Sequence, residues 1–376
     1  MTQGERHMGI SKRGFLQGVA AGAGVLAAAG KASAAAAATT GTVGGRRSYQ
    51  RIACEEACTT PDVVKELSRL ANGVPSMKSG PIAGPFMPDL LDIGAGRVRG
   101  MDRAGIDVQI LSLVSPGVQL FAPDTASALA RDVNDRMADT IRQYPTRFGA
   151  LAVVAPQAPA ETARELQRCI QTLKFNGALI NSHTNGEYLD QQKYWPVLEA
   201  IEALGVPLYL HPRDPAPGME VPLAIPGFAV GWGYAVETGT HLLHLMAGSV
   251  FDRFPKLQVV LGHLGETLPF LLDRLDNRYA WQMDVFRLKA LPRKPSEYLR
   301  EQVVVTTSGM NYAAPVRAAI EAMGIDRVLF SADHPMEVQA DAVTEMEGIR
   351  LTPTERRKTF EDNARRVFRL TAGAKA

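Results

Sequence analysis

A chain of 376 residues and 40.6 kDa, 46% hydrophobic and 21% charged, is long enough for one large or two ordinary globular domains. Its 41 Lys and Arg stand against 39 Asp and Glu; without the first 34 residues, which hold Arg6, Lys12, Arg13 and Lys31 against Glu5, the balance is 37 to 38. That excludes a nucleic-acid binder built on a concentrated basic face. Three cysteines exclude a disulfide framework, and no apolar run reaches the roughly 18 residues of a membrane span.

In chain order, the first element is a targeting segment over residues 1–34. Ser11-Lys12-Arg13-Gly14-Phe15-Leu16 precedes a short, weakly hydrophobic stretch from Gly18 to Gly30, and Ala32-Ser33-Ala34 offers a small-residue cleavage site. The run resembles a twin-arginine export signal with Lys12 in place of the first arginine, so the folded protein is expected outside the cytoplasm, periplasmic or extracellular. Residues 35–50 are Ala, Gly and Thr-rich and read as a flexible linker.

Eight short apolar or β-branched runs follow. They are Arg51 to Cys54, Val108 to Leu113, Ala150 to Val154, Gly177 to Ile180, Val206 to Leu210, Leu257 to Leu261, Val303 to Thr306 and Val328 to Phe330. Between them lie stretches with helical periodicity, among them Thr125 to Gln143, Ala160 to Leu173, Tyr194 to Leu204 and Ala314 to Met323. Strands alternating with helices pair in parallel through right-handed crossovers, and eight such units over residues 51–370 predict an α/β fold, a closed (β/α)8 TIM barrel. A doubly wound open sheet fits less well, because no Gly-x-Gly-x-x-Gly follows the first strand and polar residues follow many strands instead of gathering at one switch point. Residues 72–96, rich in Gly and Pro, read as a long functional loop after strand 1.

Active sites of such barrels lie at the C-terminal ends of the strands. There the sequence puts Glu55 and Glu56 after strand 1, His183 after strand 4, His211 after strand 5, His263 after strand 6, and Asp333 and His334 after strand 8. Carboxylates and imidazoles converging from separate strands suit a divalent cation in an open coordination sphere. His241 and His244, three apart in a helical stretch, read as packing or surface residues, and Cys54 and Cys58 as small core residues.

The runs Arg51-Ile52-Ala53-Cys54-Glu55-Glu56-Ala57, Ile180-Asn181-Ser182-His183-Thr184, His211-Pro212, Gly262-His263-Leu264-Gly265-Glu266 and Asp333-His334-Pro335 resemble, in order and spacing, the amidohydrolase-related metal-dependent decarboxylases. That group includes the γ-resorcylate and 5-carboxyvanillate decarboxylases, and the resemblance covers about residues 50–370. It implies one divalent cation, zinc or manganese, held by Glu55, His211 and Asp333. It also implies a proton donor at Asp333 with His263 close by, a homo-oligomer, and an arginine corresponding to Arg97 whose donors grip a substrate carboxylate. His183 and His334 are expected beside the substrate. The sequence departs from the pattern at Ala57, where many members carry a histidine, and at His334, where relatives more often have a bulky aromatic residue that would form one wall of the pocket.

The residues themselves suit non-oxidative decarboxylation of a hydroxylated aromatic or similar unsaturated acid. Removing CO2 from a ring requires protonating the carbon that bears the carboxylate, and either Asp333 or an imidazolium at His263 oriented by Glu266 supplies the acid. Two alternatives stand beside this reading: a mononuclear hydrolase of an amide, ester or lactone, and an exported binding protein without turnover. The intact Glu55, His211, His263 and Asp333 argue against the latter. The expected partner is a small carboxylic acid, with no nucleic acid and no membrane span.

Overall fold

The computed structural model describes residues 47–70, 84–219, 223 and 225–371. The targeting segment and nearly all of the linker expected before the barrel therefore lie outside the described residues.

Eight strands form a single sheet in sequence order: β1 (Ile52–Cys58), β2 (Val108–Leu113), β3 (Phe148–Val153), β4 (Gly177–Asn181), β5 (Leu208–His211), β6 (Val259–Leu261), β7 (Val303–Thr306) and β8 (Val328–Leu329). Each successive pair is parallel. The ring closes between its first and last members, where Cys54 N–H donates to Phe330 O at 3.2 Å and Ala57 N–H to His334 O at 2.7 Å. This is the expected (β/α)8 barrel. Strands buried on both faces need apolar residues at every position, and accordingly Ile110, Leu111, Ala178, Val260, Leu261 and Val304 are all fully buried.

The principal helices are α1 (Pro61–Leu70), α2 (Ala95–Ala104), α3 (Pro123–Gln143), α4 (Pro159–Gln171), α5 (Trp195–Leu204), α6 (Tyr234–Ala247), α7 (Leu272–Val285), α8 (Pro295–Gln302), α9 (Ala313–Met323) and α10 (Gln339–Gly348). Local chemistry sets their ends. Proline occupies the first turn of α3, α4, α5 and α8, where its missing N–H costs nothing. Gly105 and Gly205 end α2 and α5 in the left-handed conformation.

Three expectations change. Strand β1 runs to Cys58, so Glu55 and Glu56 lie inside it and not after it, and its pairing with β2 carries a bulge between Ala53 and Glu56. Likewise His211 is the last residue of β5. The long loop expected over 72–96 is shorter at its C-terminal end. A helical turn at Met87–Leu91 and the start of α2 at Ala95 occupy it, with Asp92 accepting from Gly94 N–H at 2.9 Å between them, while residues 71–83 lie outside the described residues. Among the described residues no helix is long and apolar enough to cross a membrane.

Candidate active site

Side chains two apart on a strand share a face, so Tyr209 and His211 both belong to the barrel interior of β5. Glu55 rises from β1 to meet them. Its Oε2 accepts from the Tyr209 hydroxyl and, at 3.0 Å, from the Thr306 hydroxyl of β7. Its Oε1 is buried and accepts no hydrogen bond among the described residues, yet it faces His211 Nε2 at 3.3 Å. His211 Nδ1 lies 2.8 Å from Pro212 O, a contact that only an N–H can make, which leaves Nε2 as the nitrogen turned toward Glu55. A carboxylate oxygen and an imidazole nitrogen set opposite each other in this way can share a cation. A histidine that anchors one nitrogen on a carbonyl and presents the other is the arrangement that metal-binding imidazoles adopt.

The remaining donors come from β6 and β8. One ligand atom each from Glu55, His263 and Asp333 lies within 4.8 Å of the others, and His263 Nε2 stands 3.7 Å from Asp333 Oδ2. On the far side of its ring, His263 Nδ1 meets Glu266 Oε1 at 2.7 Å. Burial opposes a charge on His263, but the Glu266 and Glu55 carboxylates and the contact with Asp333 hold its imidazole well above the usual histidine range. Part of that pull is lost once a cation neutralises Glu55 and Asp333.

The segment that delivers His263 is a left-handed turn. His263, Leu264, Gly265, Glu266 and Thr267 have φ of 48°, 54°, 80°, 52° and 68°. The left-handed region costs roughly 1 to 2 kcal/mol for each residue other than glycine, and such strain gathers where function requires it. Here it brings Glu266 back under the His263 ring. Gly265 is obligatory, since a Cβ there would meet Val305 Cγ1 at 2.9 Å, and Asp333 is itself left-handed at φ 68°.

Two of the residues expected beside the substrate are engaged with the main chain instead. His183 spends both ring nitrogens on the main chain: Nδ1 accepts from Gly186 N–H at 3.0 Å and Nε2 donates to Asp214 O at 3.0 Å. Burial and the Arg213 charge push it down to about 4, so it is a neutral staple for the loops after β4 and β5 with no nitrogen left for a substrate. Arg97 is buried and equally committed, with Nε donating to Asp92 O at 2.8 Å and Nη2 to Ala57 O at 2.7 Å and Asp89 O at 2.9 Å. Only Nη1 is without a hydrogen-bond partner among the described residues, so a forked grip on a carboxylate is not available to it. His334 stays by the mouth as a neutral ring, pushed down to about 3 by burial and by Arg97.

His241 is fully buried between Ser182 Oγ and Leu189 N–H, and His244 is exposed beside Asp190, in keeping with packing and surface roles. Cys54 and Cys58 are buried and free. Sequence reasoning missed Tyr209 and Thr306, although a tyrosine two residues before a strand-end histidine was a readable signal. It also gave no role to Glu56, which lies fully buried behind Glu55.

A profile of amidohydrolases matches residues 87–370. The chain belongs to the amidohydrolase family. It is 39% identical over 308 residues to a γ-resorcylate decarboxylase of a Polaromonas species, which covers 76% of this chain and 93% of that protein. Among solved structures, it resembles 5-carboxyvanillate decarboxylase of Novosphingobium aromaticivorans in complex with manganese and 4-hydroxy-3-methoxy-5-nitrobenzoic acid. The TM-score is 0.83 at 37% identity, covering 86% of this chain and 97% of that one. It also resembles a dihydroxybenzoic acid decarboxylase of Polaromonas with bound manganese and 2-nitroresorcinol, with a TM-score of 0.75 at 36% identity over 86% of this chain and 98% of that one. The resemblance drawn from the sequence motifs therefore holds, and the donor set described above suits the divalent cation of that group.

Gly262 gives a test of the centre. Its backbone is ordinary, but a Cβ would sit 2.8 and 2.9 Å from the two carboxylate oxygens of Glu55. Gly262→Ala is expected to displace that carboxylate and weaken Mn2+ binding about tenfold, the lower end of the range for metal-site support residues, with little change in melting temperature. Titration of metal-stripped protein, read beside a thermal melt, measures both.

Proposed function

We propose that the protein removes CO2, without an oxidant, from an aromatic acid that carries a hydroxyl group beside its carboxylate. The observation that carries this reading is the chain of groups Glu266, His263 and Asp333, which ends at a cation-binding donor set and can store and pass a proton there. Glu55, His211 and Asp333 would hold a divalent cation, which would supply a Lewis acid to fix the acidic end of the substrate and draw off charge from the ring. Manganese is the better reading than zinc. The donors are carboxylates and imidazole without thiolate, and both related structures above hold manganese.

Asp333, or the His263 imidazolium beside it, gives its proton to the ring carbon that bears the carboxylate. The bond from that carbon to the carboxyl group then breaks, its electrons restore aromaticity, and CO2 departs. The donor regains its proton from solvent at the open mouth, with Glu266 keeping the His263 ring in line throughout. Arg97 shapes the pocket through the carbonyls it holds and offers Nη1 alone, while the neutral His334 ring forms a wall that selects among ring substituents. A hydrolase would instead need a base to activate water at the same place.

Two further readings concern the protein beyond its site. The segment around Lys12 and Arg13 directs export of the folded protein. The molecule assembles with a second copy of itself through α7, a helix of 14 residues in which Leu272 alone is buried and around which Phe270, Trp281, Val285, Phe286 and Leu288 are exposed.

Metal-loaded enzyme is expected to release CO2 from at least one ortho-hydroxybenzoate in a panel that also contains lactones; ring opening without CO2 would replace this reading with the hydrolase. Asp333→Asn should abolish turnover while an unreactive aromatic acid still binds, provided the metal is retained. Replacing Lys12 and Arg13 with Gln should leave the protein in the cytoplasm, and unchanged secretion would refute the signal. Light scattering should report a dimer or larger across the micromolar range, with a monomer counting against the α7 interface.

A further inference from the structure

Glu56 follows Glu55 directly on β1 and is fully buried, yet it takes no part in the donor set. A buried carboxylate must recover by hydrogen bonds what it loses in hydration, and Glu56 takes three of its four from the segment after β8. Its Oε1 accepts from Ser331 Oγ at 2.9 Å and Ala332 N–H at 3.0 Å. Its Oε2 accepts from His334 N–H at 3.3 Å and Gln109 Nε2 at 3.3 Å. The two peptide groups it holds flank Asp333. The next residue of β1 adds a third tie, Ala57 N–H to His334 O at 2.7 Å. Between these ties Asp333 adopts φ 68°, a conformation that its own backbone does not favour and that its neighbours must therefore impose.

We propose that Glu56 is a positioning residue: by gripping the N–H groups on both sides of Asp333 it holds that residue in its left-handed conformation and so aims the Asp333 carboxylate at Glu55 and His263. The β1 bulge gives the two adjacent glutamates separate duties, one toward the cation and one toward the loop that presents its partner ligand. This rests on the reading of Asp333 as metal ligand and acid. Glutamine is a sharp probe because it is nearly isosteric. Whichever way its amide turns, an NH2 replaces one oxygen and meets the N–H of Ala332 or of His334, donor against donor. Gln109 can turn its own amide to adapt, but a peptide N–H cannot.

The test is a Mn2+ titration of metal-stripped wild type, Glu56→Gln and Asn363→Ala, followed by electron paramagnetic resonance. Turnover is measured beside it with whichever hydroxybenzoate the wild type consumes. Asn363→Ala is the stability control, since Asn363 is buried away from the donor set and donates to Ile325 O at 2.8 Å and Val328 O at 2.9 Å. Glu56→Gln is expected to bind Mn2+ at least tenfold more weakly and to lose at least tenfold in kcat with KM within about threefold, while Asn363→Ala keeps its Mn2+ affinity within twofold. Mn2+ affinity unchanged in Glu56→Gln, or lowered as much in Asn363→Ala, overturns the proposal. Should Glu56→Gln fail to fold, Ser331→Ala, which removes one of the four donors, is expected to cost about threefold in Mn2+ affinity, and no loss there overturns it equally. A wild type that binds Mn2+ but decarboxylates nothing sinks the reading of function and leaves the titration to decide on Glu56; a wild type that binds no Mn2+ sinks both.

Discussion

Two carboxylates buried side by side on one strand are the constraint from which the rest of the site follows. Desolvating an anion is so costly that each must be matched where it stands, and Glu55 and Glu56 are matched in opposite ways. Four donors surround Glu56, though burial still pushes it up to about 7. Glu55 receives two hydroxyls on one oxygen and is left, on the other, facing His211 Nε2. The first arrangement is complete and rigid. The second leaves one oxygen without a hydrogen bond among the described residues, and this difference between neighbours suits one to hold a loop and the other to hold a cation.

The same logic explains the cost accepted at His263. A right-handed turn after β6 would have carried His263 and Glu266 along one helical face, side by side. The left-handed run from His263 to Thr267 instead folds the segment under itself, so that Glu266 reaches the ring nitrogen turned away from Asp333. Packing sustains the strain: Leu264 and Glu266 are buried, and Gly265 lies against Val305 and Pro269 with no room for a side chain.

The barrel was legible because its signals are local and repeated. Each strand is a short apolar run, and helical periodicity brought the predicted ends of α3, α4, α5 and α9 close to those observed. The donor residues were legible for a related reason, since strand ends in such a barrel share one mouth. What stayed hidden depends on distant partners. The length of β1 was underestimated because two charged residues end an apolar run in any pattern-based reading, and only the ladder with β2 and the donors just after β8 sustain a strand through them. The main-chain hydrogen bonds of His183 and Arg97 stayed hidden for the converse reason. Both stand where a substrate contact would be expected, but backbone carbonyls and amides that no sequence pattern reveals have already taken their hydrogen bonds.

The closure of β1 on β8 also ties the chemistry to the order in which the chain is made. Glu56 and His334 stand 278 residues apart, so Glu56 waits for the last strand before its donors are complete, whereas Glu55 meets Tyr209 and Thr306 already on β5 and β7. A ribosome that has released seven strands has produced a barrel with an open seam and without Asp333. Asp333 and three of the four donors to Glu56 are thereby supplied only by chains synthesised through β8, and the polar cluster at the seam marks the completion of the fold around it.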